Sequence, residues 1–248
     1  MHSRTTVVSN TSAVRAGCED CLLSPECPAC TAGRAAGECD IDVDVRILHR
    51  GDRLFDHGEP FDNVYMVRSG TFKTCTVSAS GEEQVIGFYT PGDLVGLDAI
   101  HTDRHMSSAI ALETASVCSF PYEPLCRLSL SKPRVQRRLL AKMSERIRHD
   151  ERQLGMLAMR GAGQRMASFL IGFLDDCRSR GLKCDEILLP MPRADIASYL
   201  ALAVETVSRS LSRHHEARMI DVRRSCIRIL DERALRAAAG ETNPNVAL

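Results

Sequence analysis

Between Pro133 and Gly155 the chain carries neither proline nor glycine, the two residues that most readily interrupt regular backbone. In and just beyond this window Val135, Leu139, Met143, Ile147, Leu154 and Leu157 recur at steps of three and four or their sums. That period predicts one long amphipathic helix over residues 131–158. Such a helix separates the chain into parts of different character, and the patterns on its two sides do differ.

Upstream, from about Asp42 to Tyr122, short apolar runs alternate with turn residues. The runs include residues 43–48, 63–67, 72–77, 84–89 and 115–120. Between them stand His49-Arg50-Gly51-Asp52, His57-Gly58-Glu59-Pro60, Ser69-Gly70, Ser80-Gly81 and Pro91-Gly92-Asp93. Many short strands at this spacing predict a compact antiparallel barrel or roll. Downstream, helical patterns resume near Gln164 and end in a short strand pair, so the expected class is α+β. The 248 residues leave room for two modest domains. Composition, 44% hydrophobic and 26% charged, is that of a soluble globular protein. The longest apolar stretch, Ala167 to Leu174, is broken by Ser168 and Gly172 and is too short to span a bilayer. The N-terminus lacks the continuous apolar core of a secretory signal, and a cytoplasmic location is expected.

Zero formal net charge gives no global argument for a nucleic-acid partner, so that case must be local. Residues 195–211 read as two short helices joined tightly at Ala201-Leu202. In the second, Val204, Val207 and Leu211 form the expected buried face, while Glu205, Ser208, Arg209 and Ser212 fall on another. A carboxylate, a hydroxyl and a guanidinium together suit major-groove reading, since Arg bonds guanine O6 and N7 and Glu accepts from cytosine N4. Beyond lies a hairpin with a basic turn at Arg223-Arg224-Ser225, a candidate wing beside phosphates. Residues 191–248 hold nine basic and seven acidic side chains, a modest excess.

Eleven cysteines are the more unusual count, and four fall within Cys18 to Cys30. In a reducing compartment such cysteines bind metal, react or lie buried more often than they pair, and an odd total weakens a disulfide framework further. Cys18-x2-Cys21-x5-Cys27 offers three thiolates that need a fourth donor from elsewhere. Four soft thiolates close an iron–sulfur cluster or a zinc site, and spacing alone does not choose between these or unliganded thiols. In the long helix, Met143, Ile147, Asp150, Leu154 and Leu157 follow heptad-like steps of four, three, four and three. Two such helices paired about a twofold axis would bring two Asp150 carboxylates together, weakening association; alternatively Asp150 lies just outside the seam and only solubilises the helix.

At Tyr199 to Arg209 the sequence resembles the helix-turn-helix signature of the Crp/Fnr family. Val204-Glu205-Thr206-Val207-Ser208-Arg209 is similar to the V-E-T-[IV]-S-R of its fumarate and nitrate reduction (FNR) branch. The resemblance implies an N-terminal cyclic-nucleotide-binding-like β-roll, a long dimerisation helix and a C-terminal winged helix-turn-helix. It implies base reading by Glu205, Ser208 and Arg209 at a palindrome close to TTGAT-NNNN-ATCAA, by a homodimer that contacts RNA polymerase. Two residues depart from the pattern: Ala201 replaces the usual turn glycine, and Pro192 the usual Ser or Thr before the first helix.

FNR-type regulators also carry the C-x2-C-x5-C spacing and a fourth ligand in a downstream A-L-E-T-x-x-V-C segment, which residues 111–118 resemble. The resemblance thus implies a [4Fe–4S] cluster on Cys18, Cys21, Cys27 and Cys118, converted by oxygen to [2Fe–2S] with loss of dimer and DNA binding. Glu26 replaces a common hydrophobic residue beside the third ligand. Cys30, Cys39, Cys75, Cys126, Cys177, Cys184 and Cys226 match no ligand position and read as buried small hydrophobes or inert thiols. Where cyclic-nucleotide-binding relatives carry a Glu and an Arg-Ser pair, this chain has Leu97 and the stretch His105-Met106-Ser107, so cyclic nucleotide is not expected.

The expected division is a cysteine-rich cluster-binding segment (1–40), β-roll (41–130), dimerisation helix (131–158), winged helix-turn-helix (159–240) and tail (241–248). Sensing through zinc or thiol redox state is the alternative on the same fold. A small iron–sulfur or thiol redox enzyme is a third, weak reading, because the chain shows no Gly-rich dinucleotide loop and no nucleophile–base pair; an enzyme is not expected.

Overall fold

The computed structural model describes residues 43–78, 81–180 and 184–241, together with the backbone of the short strand Val14–Arg15 (β1). Cys18, Cys21, Cys27 and Glu26 lie outside the described residues. The fold divides into two compact units, residues 1–76 with 88–144 and residues 77–87 with 145–248.

Two antiparallel sheets form the roll that the turn punctuation predicts, all of it in the first unit except residues 77–87. Strands β2 (Asp44–Leu48), β4 (Asn63–Ser69), β7 (Leu94–Val95) and β9 (Ala115–Pro121) join β1 in a sheet ordered β1-β2-β9-β4-β7. The second sheet is ordered β3-β8-β5-β6, from β3 (Arg53–Phe55), β5 (Phe72–Val77), β6 (Glu83–Tyr89) and β8 (Ser108–Ala111). Strand β9 sits centrally, antiparallel to β2 through Val45↔Cys118 and to β4 through Met66↔Cys118. Its alternate residues enter two cores. Ala115 and Val117 pack with Leu54, Phe55, Val67 and Phe72 between the sheets. Cys118 and Phe120 point the other way, into a cluster with Val45, Met66, Leu125, Leu128 and Val135. That cluster is covered by helix α1 (Tyr122–Ser131) and the first turns of α2 (Pro133–Ala158). Burial on both faces explains why β9 reads as a nearly continuous run rather than an apolar–polar alternation.

Gly70 makes the β4–β5 turn possible. Its φ is +75°, and a Cβ there would lie 2.6 Å from Ala115 Cβ. The turn therefore needs both glycine's left-handed backbone and its missing side chain.

The long helix α2 runs as the proline- and glycine-free window predicts. In the second unit it is followed by α3 (Ala162–Ser179), β10 (Glu186–Leu188), α4 (Arg193–Leu200) and α5 (Val204–Glu216), then β11 (Ile220–Arg223), β12 (Cys226–Ile229) and α6 (Glu232–Ala239). Met166, Leu170, Leu174, Ile196, Leu200, Val207, Leu211, Ile220, Ile227 and Leu235 are all buried there. Helix α6 packs along α3 and is capped at its start, where the Ala234 amide donates to Asp231 Oδ1 at 2.9 Å. Arg178 donates to both Glu232 carboxylate oxygens at 2.7 Å, and Arg236 bonds Asp175, fixing that contact.

Three expectations need correction. Cys177 and Cys184, read above as unpaired thiols, form a disulfide with Cα atoms 6.3 Å apart. The odd cysteine total argued against a framework, but a single local pair is compatible with it: the last turns of α3 and the entry to β10 are only seven residues apart. Val204, read as part of the buried face of the second helix, is 40% exposed, because it opens α5 before the helix meets the core. The C-terminal strand pair is a three-stranded sheet ordered β10-β12-β11, since Glu186–Leu188 pairs with β12.

Replacing Gly70 with alanine should destabilise the roll by about 2–4 kcal/mol, combining left-handed strain with overpacking against Ala115. Urea unfolding of the full chain followed by circular dichroism measures this, and an unchanged midpoint would refute the account of the turn.

Candidate nucleic-acid interface

Helices α4 and α5 meet at a turn made by Ala201, Leu202 and Ala203. Ala201 takes φ 50° and ψ 53°, the left-handed conformation that favours glycine. Neither helix has a side-chain N-cap: Pro192 precedes α4 and Ala203 precedes α5. Their placement thus depends on packing. Val207, Ser210, Leu211 and His214 turn α5's inner face toward the core, and all four are buried. Ser210 and His214 escaped the sequence reading because their partners are backbone carbonyls: Ser210 Oγ donates to Thr206 O at 2.8 Å, and His214 Nε2 donates to Gly163 O at 3.0 Å.

On the opposite face Glu205, Ser208, Arg209 and Ser212 are exposed together, at helical steps of three and four. Ser208 Oγ donates back to Val204 O at 3.2 Å, which keeps the hydroxyl against the helix with lone pairs outward. Glu205 lies in the first turn, where the positive end of the helix dipole favours a carboxylate. The β11–β12 turn, whose first strand packs on α5, carries Arg223 and Arg224. Arg224 takes φ 55°, and Arg223 Nε donates to Asp221 Oδ2 at 2.8 Å, so part of its charge is answered within the hairpin.

Along α2, Met143, Ile147 and Leu154 are 38%, 59% and 68% exposed, an apolar stripe on a solvent-facing helix. Leu140, at 58% exposed, extends it by one step that the heptad reading omitted. Leu157 is half-buried, and its neighbour Met156 turns into the core. Asp150 lies on the exposed side and pairs with Arg146 Nη2 at 2.6 Å within the helix.

In the roll, Cys118 is 6% exposed on the sheet face that packs against α1 and α2. Among the described residues no group of three or more His, Cys, Asp or Glu side chains is placed to hold a metal ion. Elsewhere in the roll, Asp98 anchors a small polar group. Ser107 Oγ donates to Asp98 Oδ2 at 2.9 Å and the Met106 amide to the same oxygen at 3.1 Å. His105 stacks on Phe55 with ring centroids 3.6 Å apart, and its Nδ1 lies 3.8 Å from Asp98 Oδ1. That gap is too long for a hydrogen bond, so the imidazole acts on the carboxylate through the field it sets up. Burial raises the Asp98 carboxyl, but His105, the Ser107 hydroxyl and the Met106 amide outweigh it and hold the pKa below the ordinary carboxylate value. Arg104 Nη1 donates to Gly58 O at 2.8 Å.

An α4–turn–α5 pair with an exposed polar reading face, flanked by a three-stranded sheet with a basic turn, defines a winged helix-turn-helix DNA-binding protein. Family models agree: residues 45–131 match the cyclic nucleotide-binding domain and residues 164–238 the Crp-like helix-turn-helix domain. The chain belongs to the Crp/Fnr family of transcription regulators. It is 41% identical to the transcriptional activator protein Anr of Pseudomonas protegens over 228 residues, covering 91% of this chain and 93% of that one. It is 38% identical to the fumarate and nitrate reduction regulatory protein of Salmonella typhimurium over 236 residues, covering 93% and 92%. Among solved structures, FixK2 of Bradyrhizobium japonicum superposes with a TM-score of 0.70 at 27% identity, over 79% of this chain and 96% of that one. No helix among the described residues is long and apolar enough to cross a membrane.

A carboxyl whose folded pKa is depressed stabilises the fold above its unfolded value, near about 3.9 for Asp, and loses that contribution as pH falls through the folded value. Asp98→Asn should therefore melt at lower temperature than the wild type at neutral pH. The gap should close as pH drops below the ordinary carboxylate range; a gap independent of pH would contradict the assignment.

Proposed function

We propose that this regulator responds to oxygen. It binds a palindrome close to TTGAT-NNNN-ATCAA as a homodimer while a [4Fe–4S] cluster on Cys18, Cys21, Cys27 and Cys118 is intact, and releases DNA when oxygen degrades it. The observation that carries this reading is the register of the first sheet, in which Val14 pairs with Val45 and Val45 with Cys118. Two strand spacings separate Val14 from Cys118, about 10 Å. Cys18 follows Val14 by four residues, an extended reach of about 14 Å. The N-terminal thiol run therefore begins within chain reach of the fourth donor. Four sulfur donors suit an iron–sulfur centre, which when bound supplies oxygen-labile chemistry at this edge of the roll.

Cys118 also shares its packing cluster with Val135, and Leu139 packs against it, both in the first turns of α2. A change at the thiol thus bears directly on the helix whose exposed stripe we assign to dimerisation through Met143, Ile147, Asp150, Leu154 and Leu157. In the dimer, Glu205, Ser208 and Arg209 read base edges, each good bidentate pair contributing about 1–3 kcal/mol of discrimination. Relatives named as activators support RNA polymerase as a partner and a non-enzymatic, cytoplasmic role. Cyclic nucleotide is not the signal. Leu97 and the stretch His105-Met106-Ser107 lack the Glu and the Arg that would hold a cyclic nucleotide, and the Ser107 hydroxyl and Met106 amide already donate to Asp98, whose carboxylate would repel a phosphate. In this reading residues 1–40 are the sensor segment, 41–130 the roll, 131–158 the dimerisation helix and 159–240 the DNA-binding domain.

Purified without air, the wild type should be brown and carry both iron and acid-labile sulfide. Cys118→Ser should lose both together with DNA binding, while Cys75→Ser should keep them. A colourless wild type with stoichiometric zinc would overturn the cluster. For the seam, Asp150→Ala should shift the monomer–dimer equilibrium toward dimer in air by tenfold or more in sedimentation equilibrium, and a variant as monomeric as the wild type would remove Asp150 from the seam.

A further inference from the structure

The first turn of α3 makes polar contacts with α4, α5, the end of α6 and the residue after α2. Gly163 O accepts from His214 Nε2, in the last turn of α5. Gln164 Nε2 donates to Ala239 O, at the end of α6, at 3.2 Å. Arg165 spans the most. Its Nε donates to Met159 O at 2.9 Å, one residue past the end of α2, and its Nη1 donates to Leu200 O at 3.0 Å and Ala201 O at 3.3 Å. The last carbonyls of a helix have no partner within it, and a cation is favoured at that end of the dipole. A planar guanidinium answers carbonyls on two sides in a way that a single ammonium does not.

Together these bonds hold α5 at both ends from one turn of α3. Arg165 fixes the α4–α5 turn just ahead of Val204, and Gly163 fixes His214. The same guanidinium is tied to the residue that follows α2. We infer that Arg165 is a positioning residue that sets the attitude of the reading helix relative to the end of α2, so that the two α5 helices of a dimer present their base-reading faces correctly. The inference rests on the reading of α5 as the DNA-contacting helix. Arg165 is only half-buried and takes no part in the apolar core of Met166, Leu170, Ile196, Leu200, Val207 and Leu211, which holds the unit together without it.

A misaimed helix loses base contacts but keeps phosphate contacts, so the decisive quantity is the ratio of specific to non-specific affinity. Simple destabilisation lowers both by the same unfolded fraction. The test uses full-length protein handled without air and a duplex that the wild type selects from a random pool. Arg165→Met should lower affinity for that duplex at least tenfold, leave affinity for random-sequence DNA within twofold, and leave the dimer fraction unchanged. Arg165→Lys, which keeps the charge but not the fork, should recover only part of the loss, and serves alone if the Met variant does not fold. The inference is overturned if specific and random affinities fall together, if the ratio stays within twofold of wild type, or if Lys restores it fully. A selected sequence unlike TTGAT-NNNN-ATCAA counts against the proposed palindrome only, and the comparison proceeds on the selected duplex. A wild type that selects no sequence removes the reading of α5, and this inference with it.

Discussion

Because β9 is buried on both faces, its residues cannot move independently of either core of the roll, and its two sets of side chains serve different neighbours. Ala115 and Val117 lock the two sheets against each other, while Cys118 and Phe120 face α1 and the start of α2. Interiors at this density transmit displacement rather than absorb it. Under the proposed function, a ligand on the Cys118 thiol would press on the base of a helix that continues well beyond the roll. The register at Val45 brings the N-terminal strand β1 to the strand pair that carries Cys118.

The second unit solves a different problem. Its two signature helices lack side-chain N-caps, and their turn takes left-handed backbone at an alanine, which costs about 1–2 kcal/mol relative to glycine. Sequences that break local rules are held by their surroundings, and such breaks gather at functional sites. Here the compensation comes from bonds to carbonyls around that turn and from deep burial of Leu200, Val207 and Leu211. The outward face of α5 is left exposed, and under the proposed function that is the surface that would exchange water for base edges.

How much of this was legible depended on whether the signal was local. Turn glycines such as Gly70, the uninterrupted window before Gly155, and the steps of Val207 and Leu211 each announce an element within a few residues, and those elements stand where they were expected. Strand β10 failed that test: Glu186-Ile187-Leu188 is three residues long and becomes a strand only because β12 is present to pair with it. The Cys177–Cys184 bond, the partners of His214 and the reach of Arg165 are tertiary facts with no periodicity. Val204 was misjudged because a helical wheel has no beginning, whereas a real helix does. For the candidate site, the exposed polar face of α5 was legible from helical spacing, whereas three of the four proposed sulfur ligands lie outside the described residues.

The long helix α2 belongs to both units, and its charge pattern bears on how it could pair. Arg146 pairs with Asp150 four residues later, the less favourable order along a helix, and the carboxylate side remains 51% exposed. An exposed pair of this kind contributes about 0–1 kcal/mol, too little to bury the carboxylate at no cost. Under the proposed function, the apolar residues Leu140, Met143, Ile147 and Leu154 would favour association, whereas two approaching Asp150 side chains would oppose it. A seam with both elements stays near balance, and near balance is where a modest push from the packing around Val135 and Leu139 can change the outcome. A purely apolar stripe would pair permanently and leave nothing for a sensor to control.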